Sequence, residues 1–536
     1  MSEHWKSALE SHWAIEAALH PLAGEYDLNF LAKTAAGEGY ILKVMRTNCA
    51  RNLVDLQVSA LAHMADQPAA SLFPEVLLTK KGLPFVCVEG PEGEARLLWL
   101  LQQLPGRSYA QSFPKTPDLV FGLGRAIGIT DSALESFQHA AIDRDFKWNL
   151  MQSLWIKPEL AIVADPIRRS ILDKIVMGFT SIVPLLECLP QQALHNDIND
   201  YNILVADDFF APRRITGLID LGDMCRAPRI CDLAIAAAYV VLYQTDPEAT
   251  LEALVLGYHT VNPLQPEELD LLWPLLQMRL AVSVVNSTKM AQANPDDPYV
   301  VISQAPAWQF LEQNTVHADL LLARLRVACG FPITPFAGAV HAYLKKMRGH
   351  FAPVIAANLS VAPMWSLSVE QSCVPVDPFE LSSSEAAQVV GALASEGAVC
   401  LGYYKEPRLI YTAPAFYKGP WKASDRRTVH LGIDVFAPQG TDISAPMTGR
   451  VHVVENRSTS LDYGGIIILL HEIPDGACFY TFYGHLDPSV CETLFIGQII
   501  QAGEVFCRLG GATQNGGWTP HLHFQLALTT KGLGKD

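Results

Sequence analysis

The run from His195 to Asp223, HNDINDYNILVADDFFAPRRITGLIDLGD, narrows what this chain can fold into more than any other stretch. It opens with H-x-D-x-x-x-x-N, formed by His195, Asp197 and Asn202. A polar hairpin then leads into an apolar strand, Ile215 to Ile219, which delivers Asp220. Phosphoryl transfer needs an acceptor-orienting carboxylate, magnesium ligands and a cationic phosphate clamp, because its catalysis is mostly positioning and charge neutralisation. Asp197 is expected to orient or accept the proton of an acceptor hydroxyl, while Asn202 and Asp220 offer the hard oxygen ligands that Mg2+ prefers. A polar loop beside a buried strand has no need of these four residues in this order.

The surroundings fit a small-molecule enzyme. A formal charge of −16 argues against a nucleic-acid or anionic-membrane partner, since either rewards a basic surface. The N-terminus has no basic-then-apolar signal pattern, and the longest apolar run, Leu233 to Tyr243, is too short for a span, so the chain reads as cytoplasmic. Eleven cysteines without a C-x-x-C pair argue for reduced, mostly buried thiols rather than a disulfide framework or a thiolate zinc knot. A length of 536 residues allows about three domains.

Upstream, residues 5 to 20 read as an amphipathic helix, and Pro21 to Val44 as an antiparallel sheet with turns at Gly24 and at Gly37 to Gly39. Lys43 lies in the apolar strand Y-I-L-K-V, where an ammonium needs an anionic partner, and phosphate oxygens are a natural one. Taken alone, such a lysine is more often an exposed residue on a polar face. The helix Asn52 to Ala65 supplies Asp55 as the acid expected to pair with Lys43. Two strands around a turn at Pro91 to Gly93 then lead into a hinge, Gln102 to Gly106, whose backbone is placed to bind adenine. Phe113 to Leu186 and Asp232 to Gly330 are helical in pattern.

At this point the segments YDLNFLA, YILKV, DLQ, HNDINDYNILV, IDLGD and RLAVSVVNS (Arg279 to Ser287) resemble the aminoglycoside phosphotransferase and choline kinase family, most closely its hydroxylysine kinase branch. The resemblance implies a protein-kinase-like, two-lobed fold over residues 1–330, with a small lobe at 1–105 and a large lobe at 106–330. It implies phosphorylation, by ATP or GTP with Mg2+, of a hydroxyl on a small amine-bearing molecule. Asn196 stands where the family usually has Gly, and Asp55 where it usually has Glu. Asp223 is open to a role with a substrate ammonium or in the loop, and Asp232 to a structural one. No G-x-x-x-x-G-K-[ST] occurs, so a P-loop site has no support.

Residues 331–400 are broken by prolines and read as a linker or accessory region, with a serine-capped helix starting at Ser382 to Glu385 and running to about Ala394. From Val399 the period shortens to strands, predicting an all-β domain at 401–536 and an α+β class for the whole. That domain holds His430-x-x-x-Asp434, then Tyr483-Gly484-His485-Leu486, then His521-Leu522-His523. Strand alternation puts His521 and His523 on one face. Two histidines and an aspartate make the three-ligand set of a catalytic zinc. The pattern resembles the lysostaphin-type zinc peptidases. Carried over, His430, Asp434 and His523 bind Zn2+, while His485 and His521 polarise substrate and stabilise a tetrahedral intermediate. Such peptidases mostly cut cell-wall bridges outside the cytoplasm, so hydrolysis of a small amide or peptide and a structural or regulatory metal are both open. The domain order also resembles bacterial fusions that continue into a class III, pyridoxal-phosphate-dependent aminotransferase-like domain. Two rival readings are an aminoglycoside-modifying kinase, and a metal- and nucleotide-binding scaffold with degenerate sites.

Overall fold

The computed structural model describes residues 2–22, 24, 27–208, 211, 213–242, 244–293, 304–313, 316–368, 399–408, 411 and 429–530. They fall into two compact units, Met1–Phe331 and Pro332–Asp536.

The first unit begins with α1 (Ser2–Trp13), followed by the strands β1 (Ala18–Leu22), β2 (Leu28–Lys33) and β3 (Gly39–Val44), then by α2 (Arg51–Ala65). The helix expected over 5 to 20 therefore divides. Ala14 takes a left-handed φ of 59° that ends α1, and β1 pairs along its whole length with β2. Trp5, Leu9 and Trp13, spaced i, i+4, i+8, put one face of α1 against Phe30, Leu42 and Leu98 of the sheet. Next come β4 (Val76–Leu77), β5 (Phe85–Glu89) and β6 (Ala95–Gln102), completing an antiparallel sheet ordered β1-β2-β3-β6-β4 with β5 also on β6.

Beyond the hinge lie β7 (Arg107–Ser108), α3 (Pro117–Leu134), α4 (Pro166–Cys188), β8 (Gln192–Leu194), β9 (Ile203–Val205), β10 (Ile215–Leu218) and β11 (Cys225–Ala227). The helices α5 (Ile230–Val240), α6 (Pro247–His259), α7 (Pro266–Ala293), α8 (Gln304–Gln313) and α9 (Ala318–Ala328) follow. The short strands pair as β10-β9-β7 and β11-β8, so the loop between β8 and β9 is clamped at both ends. α5 is buried at every position, a helix that is hydrophobic on all sides because helices surround it. The outcome is a β-rich lobe followed by an α-rich lobe, as expected.

The second unit starts with α10 (Ala337–Lys346) and β12 (Met364–Trp365). The strands β13 (Cys400–Gly402), β14 (Glu406–Pro407), β15 (Val429–His430), β16 (Ile433–Phe436), β17 (Asp442–Ser444), β18 (Gly449–Arg457), β19 (Gly464–Glu472), β20 (Cys478–Leu486), β21 (Ile499–Ile500), β22 (Val505–Arg508) and β23 (His521–Ala527) follow. Eight of these form one sheet, β12-β13-β16-β23-β20-β19-β18-β21, antiparallel except for β12 on β13. Part of the expected linker thus belongs to this unit. β12 extends the sheet, and Ser444 N donates to Val354 O at 2.8 Å. The helix expected from Ser382 lies outside the described residues.

Candidate functional site

In the first unit, β3 places Lys43 between Asn29 on β2 and Trp99 on β6. The ammonium is buried and sits 5.6 Å from the centroid of the Trp99 ring, and its Nζ donates to Asp220 Oδ1 at 2.8 Å across 177 residues of sequence. Asp220 has φ 68°, a left-handed backbone that turns its half-exposed carboxylate back toward β3. Partial burial pushes this carboxyl up, but the Lys43 ammonium outweighs that and holds it below the ordinary range.

The loop from His195 to Asn202 is held from beneath. Asp232 on α5 accepts from the backbone N–H of His195 at 2.9 Å and of Asn196 at 2.6 Å. Asn196 itself has φ 63°, which asparagine tolerates better than most residues. His195 Nε2 donates to Ile219 O at 3.1 Å, tying this loop to the strand that delivers Asp220. Asp197 Oδ2 accepts from Asn199 Nδ2 at 3.0 Å and Asn202 Nδ2 at 2.8 Å. Asn202 Nδ2 also reaches Asp197 O at 2.9 Å, so the carbonyl oxygen of this amide is the atom left for a cation. Lys43, Asp197, Asn202 and Asp220 are thus linked through His195 and Ile219 into one cluster.

Asp55 does not meet Lys43, correcting the expected pair. α2 turns Val54, Gln57, Leu61 and Met64 inward, leaving the Asp55 carboxylate more than half exposed, where His139 Nε2 stands 3.2 Å away. The residue that sequence reasoning missed is Arg279. Its guanidinium, fully buried over the Trp148 and Tyr239 rings, donates from Nη2 to Asp197 Oδ1 at 2.8 Å. The signal was there, because an arginine inside the apolar run of α7 must have an acidic partner. Asp223 lies 3.9 Å from Arg144, whose guanidinium also donates to the carbonyls of Gly222 and Met224 and braces the turn after Asp220.

In the second unit the ligand geometry follows from strand register. β16 and β23 pair Asp434 with His523, and β14 and β15 pair Glu406 with His430. His430 Nε2, His523 Nδ1 and Asp434 Oδ1 form a triangle with edges of 2.9, 3.1 and 3.1 Å. Those spacings suit three corners of a tetrahedron centred about 2 Å from each, as zinc requires. Gly432 is needed here because a Cβ would stand 2.4 Å from the His523 ring. Arg408 Nη1 donates to the other carboxylate oxygen, Asp434 Oδ2, at 2.7 Å, which leaves Oδ1 facing the histidines. Glu406 holds Arg408 Nε at 2.9 Å and is itself bonded by Ser366 Oγ and Leu367 N. Burial pushes Asp434 up, but Arg408 and the histidines hold it well below the usual carboxylate range, so it stands ready as an anionic ligand.

His485 and His521 lie beside the triangle with ring centroids 4.2 Å apart. His521 Nδ1 donates to Thr519 O at 2.7 Å, which fixes the tautomer and leaves Nε2 as an acceptor 3.7 Å from Asp434 Oδ1. His485 has φ 62° and a buried Nδ1 with no hydrogen-bond partner among the described residues, a strained placement of the kind found at functional sites. Burial pushes both imidazoles down, so both are neutral at physiological pH.

Comparison with known proteins finds a family match over each of the two stretches. Residues 18–272 match the phosphotransferase enzyme family, and residues 428–533 match peptidase family M23. The chain is 26% identical over 330 residues to hydroxylysine kinase of Xenopus laevis, covering 58% of this chain and 87% of that protein. It is 28% identical over 342 residues to the hydroxylysine kinase of Bos taurus, covering 58% and 89%. Among solved structures, an amicoumacin kinase aligns at 15% identity over 64% of this chain and all of its own, with a TM-score of 0.43. Residues 18–272, which hold the Lys43–Asp220 pair, thus match the phosphotransferase enzyme family, and residues 428–533, which hold the histidine–aspartate triangle, match peptidase family M23.

Proposed function

We propose that the first unit transfers the γ-phosphoryl group of ATP or GTP to the hydroxyl of a small amine-bearing molecule, an amino alcohol or hydroxy amino acid, in the cytoplasm. The observation that carries the reading is the 2.8 Å contact between Lys43 and Asp220, which meets the Asp197–Asn202 pair through one shared loop. Burial raises the Asp197 carboxyl above its ordinary range while Arg279 opposes it, and in its ionised form such a carboxylate is the stronger base toward a hydroxyl proton. Asn202 and Asp220 would hold Mg2+, which would supply neutralisation of the phosphate charge. The Lys43 ammonium, bonded to Asp220, would take up phosphate charge from the opposite lobe. The hydroxylysine kinase relatives support a hydroxylated amine as acceptor.

For the second unit we infer a zinc-dependent peptidase or amidase site. His430, Asp434 and His523 would hold the metal, which supplies a Lewis acid and an activated water when bound. His521 Nε2 is an open acceptor beside it, suited to holding a proton of that water or of a polarised substrate.

A panel of hydroxylated amines that includes hydroxylysine, run with ATP and with GTP and read as nucleoside diphosphate release, tests the kinase reading. Turnover with at least one amino alcohol or hydroxy amino acid is expected. Asp197→Asn should lower kcat by about 10²–10⁴ while changing nucleotide affinity less than about threefold. Near-normal turnover in that variant, or none with any amine in the wild type, rejects the reading.

A further inference from the structure

Three helices of the large lobe each send one polar side chain into the buried region beneath the catalytic loop: Asp131 from α3, Asp232 from α5 and Tyr258 from α6. All three are fully buried. Both oxygens of Asp232 are committed to the loop, Oδ2 to His195 N and Oδ1 to Asn196 N. Asp131 Oδ2 accepts from Tyr258 Oη at 2.7 Å, and its backbone carbonyl accepts from Gln192 Nε2, on the strand that enters the loop. Asp131 Oδ1 is buried with no donor among the described residues, and the Asp131 and Asp232 carboxyls stand close enough for each to act on the other's ionisation.

Two neighbouring carboxylates at a buried site cannot both be ionised without a cation to compensate them. Neither nearby candidate is available. Burial holds the His195 imidazole below its ordinary value, so it is neutral, and Arg229 is engaged from Nε and Nη2 by both oxygens of Glu268 at 2.8 Å. One acid therefore carries a proton. Asp232 accepts two backbone N–H bonds, which favour its anion, whereas the orphaned Asp131 Oδ1 lacks any donor and becomes a satisfied hydroxyl once protonated.

We propose that Asp131 is a positioning residue for phosphoryl transfer: as a neutral carboxylic acid it donates its proton in a hydrogen bond to Asp232, fixing the carboxylate that holds the loop bearing Asp197. The effect on turnover rests on the kinase reading above, whereas the protonation state does not. Burial pushes both acids up, Asp131 the further, in keeping with the proton residing there. Holding this carboxylate matters because Asn196 is left-handed, and loss of its N–H bond would release the turn that aims Asp197.

Two arms test it. In the full-length protein with isotopically labelled aspartate, the infrared difference spectrum between wild type and Asp131→Asn at neutral pH should contain one protonated-carboxyl stretch belonging to the wild type. Its absence overturns the proposal whatever the activity. In the turnover arm, Asn supplies an N–H to Asp232 and an oxygen to Tyr258, so Asp131→Asn should keep kcat within about threefold, whereas Asp131→Leu should lower it at least about tenfold with the nucleotide KM little changed. Loss in Asp131→Asn as large as in Asp131→Leu overturns the proposal. If Asp131→Leu does not fold, the infrared band and the Asn variant decide. A wild type without phosphotransferase activity would reject the kinase reading alone and leave the infrared arm to judge the proton.

Discussion

Lys43 is an ammonium on a buried strand, and what stands opposite decides its role. The sequence offered Asp55, on the next helix, but the carboxylate that reaches the lysine is Asp220, from the other lobe. Asp55 sits on the outer face of α2 beside His139, more than half exposed, where ion pairs contribute about 0–1 kcal/mol. Asp55→Ala should therefore change the nucleotide KM by less than about threefold, while Lys43→Met should lower kcat/KM by about 10²-fold or more. A comparable loss in both, by steady-state kinetics with saturating acceptor, would return Asp55 to the phosphate clamp. In the second unit the corresponding question concerns Arg408. Its bond to Asp434 Oδ2 orients the carboxylate, and removing such an outer partner typically costs metal affinity about 10–100-fold. Arg408→Leu should weaken zinc binding by that factor in a competitive chelator titration. Unchanged affinity means that the two histidines alone orient the site.

At the scale of strands and helices, what could be read from the chain was what is local. The H-x-D-x-x-x-x-N loop, the strand delivering Asp220, the alternation of His521 and His523 and the change of period at Val399 are short-range patterns, and the structure has each in place. What escaped depended on long-range pairing. The first three residues of β1, Ala18 to His20, fall in the stretch that reads as helix because the partner, β2, decides their conformation, and β12 falls in the stretch that reads as linker because it pairs across a gap in sequence with β13. Arg279, Arg408 and Asp131 meet acids 82, 26 and 101 positions away, beyond any spacing rule. A buried histidine on β19 gives a test at this scale. His471 is fully buried, with Nδ1 3.0 Å from Thr448 O and Nε2 2.7 Å from Thr481 Oγ1. Burial lowers its folded-state value, so its contribution to stability is fully present above the unfolded value of about 6.5 and is lost as pH falls toward the folded one. The stability advantage of wild type over His471→Gln should accordingly shrink below about pH 6.5, by up to about 1.4 kcal/mol per pH unit. Parallel stability curves for the two proteins from pH 7.5 to 5, from urea unfolding, would mean that the imidazole does not titrate with unfolding (about one proton in this window is expected).

Over the whole molecule, the separation of the two chemistries is a matter of where the cores lie. The large core gathers residues from Met45 to Cys329 and the sheet-helix core beside it runs from Trp5 to Leu100, whereas the cores of the second unit draw only on residues from Val340 onward. The candidate residues divide in the same way: Lys43, Asp197, Asn202 and Asp220 all precede the division at Phe331, and His430, Asp434 and His523 all follow it. Units that share neither core nor site residues have no required energetic coupling, so a change in one site should leave the other intact. His523→Ala removes one corner of the triangle and should abolish zinc binding, since two protein ligands make a weak site, yet leave kcat and KM for phosphoryl transfer within about twofold of wild type. Asp197→Asn should do the reverse, losing turnover while retaining about one zinc per chain. Elemental analysis and the nucleoside diphosphate assay on the same two preparations decide the matter. Zinc retained in His523→Ala rejects the ligand set, and a kinase rate that falls with the metal rejects the independence of the two units.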